Sequence, residues 1–138
     1  MKSQDSHFPV LLFWSGVNGC LSVAIGAFGA HSLKPLLEKN GTLETFQTGA
    51  HYHLVHALAL LGVALLSERL AEPKAARRAG NLFLGGILFF SGSLYLLALT
   101  NVRVLGAVAP IGGLCFMGGW LSLVMASLRE MPNKRGQD

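Results

Sequence analysis

The chain has 138 residues, 51% hydrophobic and only 13% charged, with a formal net charge of +4. Its basic residues flank apolar segments instead of alternating with aromatics, which argues against a nucleic-acid partner. With two cysteines, Cys20 and Cys115, both in apolar runs, a disulfide or zinc framework is not expected.

Four stretches lack Asp, Glu, Lys and Arg altogether: Phe8–Ala30, Phe46–Ser67, Ala79–Val102 and Val104–Leu128, together about two thirds of the chain. Each exceeds the roughly 20 apolar residues that cross a bilayer at ~1.5 Å per residue. A soluble bundle needs a charged outer stripe on every helix, and none is present here. The expected fold is an all-α membrane protein, four transmembrane helices packed as one compact domain over residues 1–138.

In the first span, Lys2 ahead of Phe8–Val17 resembles a signal peptide, and Val17-Asn18-Gly19-Cys20 faintly resembles a lipidation site. The apolar run continues unbroken to Ala30, and Asn18 is a poor residue so close to such a cysteine, so a retained helix is expected. Ser15 and Gly19, then Ser22, Gly26 and Ala30, repeat at four-residue spacing, with Gly29 between. Such small residues let membrane helices approach closely. Asn18 and Ser22 share a face and should point at a neighbouring helix.

The His31–Thr45 connection carries Leu33, Leu36, Leu37 and Leu43 and reads as a short amphipathic piece on the membrane surface, with Thr42 capping span two after Gly41. Glu68–Gly80, containing Pro73, reads as the clearest linker. In span four, Pro110 followed by Gly112 and Gly113 should kink the helix, and Gly118, Ser122 and Ala126 form a packing stripe. The two hairpins show no internal repeat of the kind inverted-repeat transporters carry.

Charge sets the orientation. One side would hold Lys2, Arg69, Lys74, Arg77, Arg78, Arg129, Lys134 and Arg135; the other only Lys34, Lys39 and Arg103. The positive-inside rule then puts both termini in the cytoplasm.

Polar residues gather in the outer half. His31 ends span one, while His51, His53 and His56 open span two. If span two starts near Thr48, His56 lies ~12 Å below the surface. Tyr52 shares its face at i and i+4, and His53 at i and i+3. Span three brings Ser91, Ser93 and Tyr95 to this level, and Arg103 lies in the last turn. The candidate polar pocket is therefore His31, Tyr52, His56, Ser91, Ser93, Tyr95 and Arg103, since intramembrane ionisable groups tend to face bundle interiors. Three uses fit: a hydrogen-bonded knot that fixes helix register, a path for an ion, proton or small solute, or a metal or haem site through His31 and His56. No HExxH or CxxC pattern and no carboxylate within the spans supports the last.

The runs Gly26-Ala27-Phe28-Gly29-Ala30-His31, Gln47-Thr48-Gly49 with Tyr52 and His56-Ala57-Leu58-Ala59, Phe90-Ser91-Gly92-Ser93-Leu94-Tyr95, and Pro110-Ile111-Gly112-Gly113 with Gly119-Trp120 stand in this order. They resemble those of the YgdD type of small four-span inner-membrane proteins, a domain-of-unknown-function group, over roughly Trp14 to Ser127. The resemblance implies that His31, Tyr52, His56, Ser91, Ser93, Tyr95 and Pro110 matter and that His51 and His53 are not required. It implies a fold and a location in the bacterial inner membrane, but no activity.

The expectation is an integral membrane protein of accessory or structural type, not an enzyme, without a cofactor. Lipid surrounds it, and a homo-oligomer or larger membrane assembly is the expected partner. A small transporter or channel is the first alternative and metal or haem binding the second.

Overall fold

A computed structural model describes residues 7–70 and 73–130; the two tails, with Lys2, Lys134 and Arg135, lie outside the described residues. Four helices in it are long and apolar enough to cross a bilayer: Phe8–Ala30, Leu43–Leu66, Lys74–Thr100 and Arg103–Glu130. The elements are α1 (Phe8–Ala30), α2 (Lys34–Asn40), α3 (Leu43–Leu66), α4 (Pro73–Gly86), a π-helical turn (Ile87–Ser91), α5 (Gly92–Thr100), a 3-10 turn (Arg103–Ala107) and α6 (Ala109–Glu130). Large apolar side chains such as Phe13, Val23, Phe28, Leu88, Leu114, Met117 and Leu121 point away from the bundle. A monomer in water rarely leaves so much apolar surface uncovered; in hydrocarbon this is the stable arrangement.

Span one packs on α3, and α4 packs on α6, while α5 and the π turn join the two halves by packing on α3. One apolar cluster, at the end of the bundle away from α2, is built from Leu11, Leu60, Val63, Phe83, Ile87 and Phe116 and the small residues Ala64, Ala76 and Ala79. A smaller one lies under α2, where Leu37, Phe46 and Ala98 are buried. Small residues allow close approach at both ends. A Cβ at Gly29 would strike the Phe46 ring, one at Gly119 the Phe83 ring, and one at Gly112 the backbone of Phe90. Gly26, by contrast, faces open space, and Gly113 reaches only Phe90 Cδ2 at 4.0 Å.

Three local features differ in form from the sequence expectations. Helix α4 begins at Pro73, so the second half of the expected linker is helical. Ala75, Ala76, Ala79 and Phe83 make a buried stripe, while Lys74, Arg77 and Arg78 lie on the exposed side, where long stems can reach the interface. Pro110 stands in the first turn of α6, behind the 3-10 turn, where a missing N–H costs no helical hydrogen bond. Thr42 precedes α3 but does not cap it with its side chain. Its hydroxyl instead donates to the Ala98 carbonyl at 2.8 Å, and the Asn40 amide donates to the same oxygen at 3.2 Å. That carbonyl lies in the last turn of α5, where helical partners run out. The α2–α3 corner thus caps span three.

Candidate functional site

The polar centre of the bundle is built on α3. His53 and His56 are both buried, at 3% and 4% exposure, between the two apolar clusters. At ~1.5 Å per residue they lie roughly 15 and 20 Å from the start of a helix of 24 residues, near its middle. At that depth no water competes for their nitrogens, and each nitrogen must find a partner in the protein.

His53 joins three spans. The Tyr95 hydroxyl on α5 lies 3.2 Å from Nδ1, and the Asn18 side-chain oxygen on α1 lies 3.3 Å from Nε2. Asn18 donates its amide to the Trp14 carbonyl at 2.8 Å, which leaves its oxygen as the acceptor. The donors and acceptors then agree in one arrangement: Tyr95 O–H donates to Nδ1, and Nε2–H donates to Asn18.

His56 takes the opposite tautomer. Its Nδ1 faces the Tyr52 carbonyl at 2.8 Å and must carry the proton, and its Nε2 accepts from the Trp120 indole N–H at 3.3 Å. The ring lies flat on Phe116, with centroids 3.5 Å apart and planes 13° from parallel, and Phe83 packs on it at 5.4 Å. A parallel Tyr52 ring follows at 6.0 Å. His56 therefore ties span two to span four, and His53 ties span two to spans one and three. A further bond, from the Ser15 hydroxyl to the Ala57 carbonyl at 3.1 Å, fastens α1 to α3 one turn away.

Of the pocket residues read from sequence, Tyr52 and His56 meet in the aromatic stack, and Tyr95 joins the centre through His53. Ser93 is buried and donates back to the Phe90 carbonyl at 3.0 Å. Ser91 is fully buried in the π turn, and its hydroxyl has no hydrogen-bond partner among the described residues. His31 caps the end of α1 and is exposed, as are His51 and Arg103. His53, Asn18, Phe116 and Trp120 belong to the centre but not to the expected pocket. Asn18 carried a signal, being a polar residue in mid-span, and so did Trp120, the one indole donor in span four. Among the described residues no group of three His, Cys, Asp or Glu side chains is placed to hold a metal ion. The free lone pair of His56 is occupied by Trp120.

Beside the centre, α1 and span three stand apart and leave a cleft of about 470 Å³. Trp14, Asn18, Leu21 and Ile25 form one wall and Leu84, Ile87, Leu88, Gly92 and Tyr95 the other, with His53 at the back.

These features define a class: a compact four-span helical membrane protein held together by histidine-centred hydrogen bonds. The chain belongs to the family described as Protein of unknown function (DUF423), whose pattern it matches over residues 25–113. It is 39% identical over 122 residues to the UPF0382 membrane protein YwdK of Bacillus subtilis, covering 88% of this chain and 98% of that one. A UPF0382 membrane protein of Haemophilus influenzae is 42% identical over 114 residues, 83% of this chain and 90% of the relative. The UPF0382 inner membrane protein YgdD of Escherichia coli is 38% identical over 121 residues, 86% of this chain and 89% of that protein. No solved structure matches the chain. It is thus a multi-pass membrane protein of a family of unknown function, in which the Escherichia coli relative is an inner-membrane protein.

Proposed function

We propose that the protein is a non-enzymatic, accessory or structural element of the inner membrane, with both termini in the cytoplasm, working as a homo-oligomer or inside a larger membrane assembly. One observation carries this reading: all four ring nitrogens of His53 and His56 are engaged by other groups of the same bundle. Histidines so occupied hold helices in register; a proton carrier or metal ligand needs a nitrogen that can be released. Three of the four bonds run between neighbouring spans at mid-depth, which suits a fastener better than a path from one face to the other.

The test is purification in a mild detergent, with mass measured by light scattering and co-purifying proteins identified. A stable oligomer or a stoichiometric partner supports the reading. Clean monomers at every concentration, with no partner, overturn it. Sealed vesicles loaded with the protein should show the same ion and proton flux as empty ones; flux that His56→Ala changes would install the transporter or channel reading instead.

A further inference from the structure

We infer, resting on the homo-oligomeric reading above, that the outward face of α3 is the contact between two copies of this chain, paired through Gln47 and His51. Gln47, His51, Leu54, Leu58, Leu61 and Leu65 recur at alternating intervals of four and three residues, the spacing of a two-stranded helical seam. All six lie on the exposed side of the helix, opposite buried Gly49, His53, His56 and Leu60. That spacing alone decides nothing, because Leu114, Met117, Leu121, Val124 and Leu128 repeat it on the exposed side of α6. Lipid tails cover that wholly apolar stripe as well as another helix would.

Two polar residues set α3 apart. A helix of 24 residues is ~36 Å long, ~6 Å more than the hydrocarbon of a bilayer. His51 stands ~12 Å from its start. Even with all the excess at the α2 end, His51 lies ~6 Å inside the hydrocarbon and Gln47 at its edge. Neither side chain has a hydrogen-bond partner among the described residues, whereas Thr48 beside them donates to the Glu44 carbonyl at 2.9 Å. Bare polar groups at this depth are costly and turn towards protein. Two copies inserted the same way, related by a two-fold axis along the bilayer normal, bring each residue to its own counterpart at equal depth. A carboxamide donates and accepts, and a neutral imidazole donates from one nitrogen and accepts at the other. Gln47 can therefore bond the second copy's Gln47, and His51 the second copy's His51. A shallow groove of about 420 Å³, lined by Glu44, Gln47, Thr48, His51 and Tyr52, gives the incoming side chains room. Glu44 cannot pair with itself when ionised, but it lies in the first turn of α3, where water and salt screen its charge.

The test uses the full chain in liposomes, with Cys20 and Cys115 replaced by Ala and single cysteines placed at Leu54, Leu58, Met117 or Leu121. A disulfide between like positions needs Cα atoms within about 7 Å, which only residues next to the two-fold axis reach. Oxidation should link copies through Leu54 and Leu58 and leave Met117 and Leu121 unlinked. Association is then followed by energy transfer between labelled copies as the protein is diluted in lipid. Gln47→Leu combined with His51→Leu should raise the mole fraction of half-association about tenfold, while His51→Gln, which still donates and accepts, should stay within about threefold of the parent. Because neither residue bonds within its own chain, the melting temperature of the detergent-dispersed monomer should not move. Unchanged association in the folded double variant, or links through α6 in place of α3, overturns the α3 contact and leaves the homo-oligomeric reading standing. Monomers at every dilution overturn the contact too, and a co-purifying protein then decides whether the larger-assembly reading survives.

Discussion

The indole N–H of Trp120 points at Nε2 of His56 from 3.3 Å, while the other ring nitrogen is held by the Tyr52 carbonyl at 2.8 Å. A residue that sequence offers as a ligand or proton carrier is thus engaged on both sides by its own fold. Trp120→Phe keeps an aromatic ring of smaller size and removes the donor, leaving the His56 Nε2 unpaired. We expect a loss of about 1–3 kcal/mol, measured by thermal or denaturant unfolding in detergent. Combined with His56→Ala the loss should be clearly less than the sum of the two. Strict additivity would deny the bond.

His53 and His51 offer a sharper contrast, two residues apart on one helix. His53→Ala removes the bonds to both Tyr95 and Asn18 and should cost more than 2 kcal/mol, whereas exposed His51→Ala should stay within about 0.5 kcal/mol. Equal effects would mean that His53 ties nothing.

Ser91→Ala is expected to be neutral or to raise stability by up to about 1 kcal/mol, because it deletes a buried hydroxyl with no hydrogen-bond partner among the described residues. A marked loss would show that this hydroxyl has a partner after all.

Gly112→Ala and Gly26→Ala should separate close contact from open surface. The new Cβ at Gly112 meets the Phe90 backbone, which cannot swing aside, and a cost of about 1–3 kcal/mol is expected. At Gly26 it meets nothing within 4 Å, and better helix propensity should make the change harmless.

Orientation can be read with single cysteines placed at exposed Lys39 and Arg78 after Cys20 and Cys115 are replaced by Ala. An impermeant thiol reagent added outside intact cells should label the first and spare the second. The reverse pattern would turn the molecule over.

The four spans were plain in the sequence because charge is excluded from hydrocarbon whatever the packing, and their absence of charge is a local property. The start of α4 was not, since Lys74, Arg77 and Arg78 read as loop until the buried face of Ala75, Ala76 and Ala79 is seen. The site was half legible. His56, Tyr52 and Tyr95 declared themselves as polar groups in apolar runs, but which of His53 and His56 meets which neighbour depends on how each span is rotated. Periodicity gives the faces of a helix without saying what stands opposite, so Trp120 could not be paired with His56 in advance. The family resemblance set His53 aside, yet in this chain it is the residue that joins three spans.

The π turn at Ile87–Ser91 has a mechanical consequence. A π turn holds one more residue than an α turn, so the helix beyond it is offset by about 100° in azimuth. Span three is in effect a shaft cut and rejoined out of phase: its first half keys into α6 through Phe83, its second half into α3 through Tyr95. Deleting a single residue between Ile87 and Ser91 would restore a continuous winding and carry Tyr95 round the axis away from His53. The two halves of the bundle would then no longer mesh at the same time.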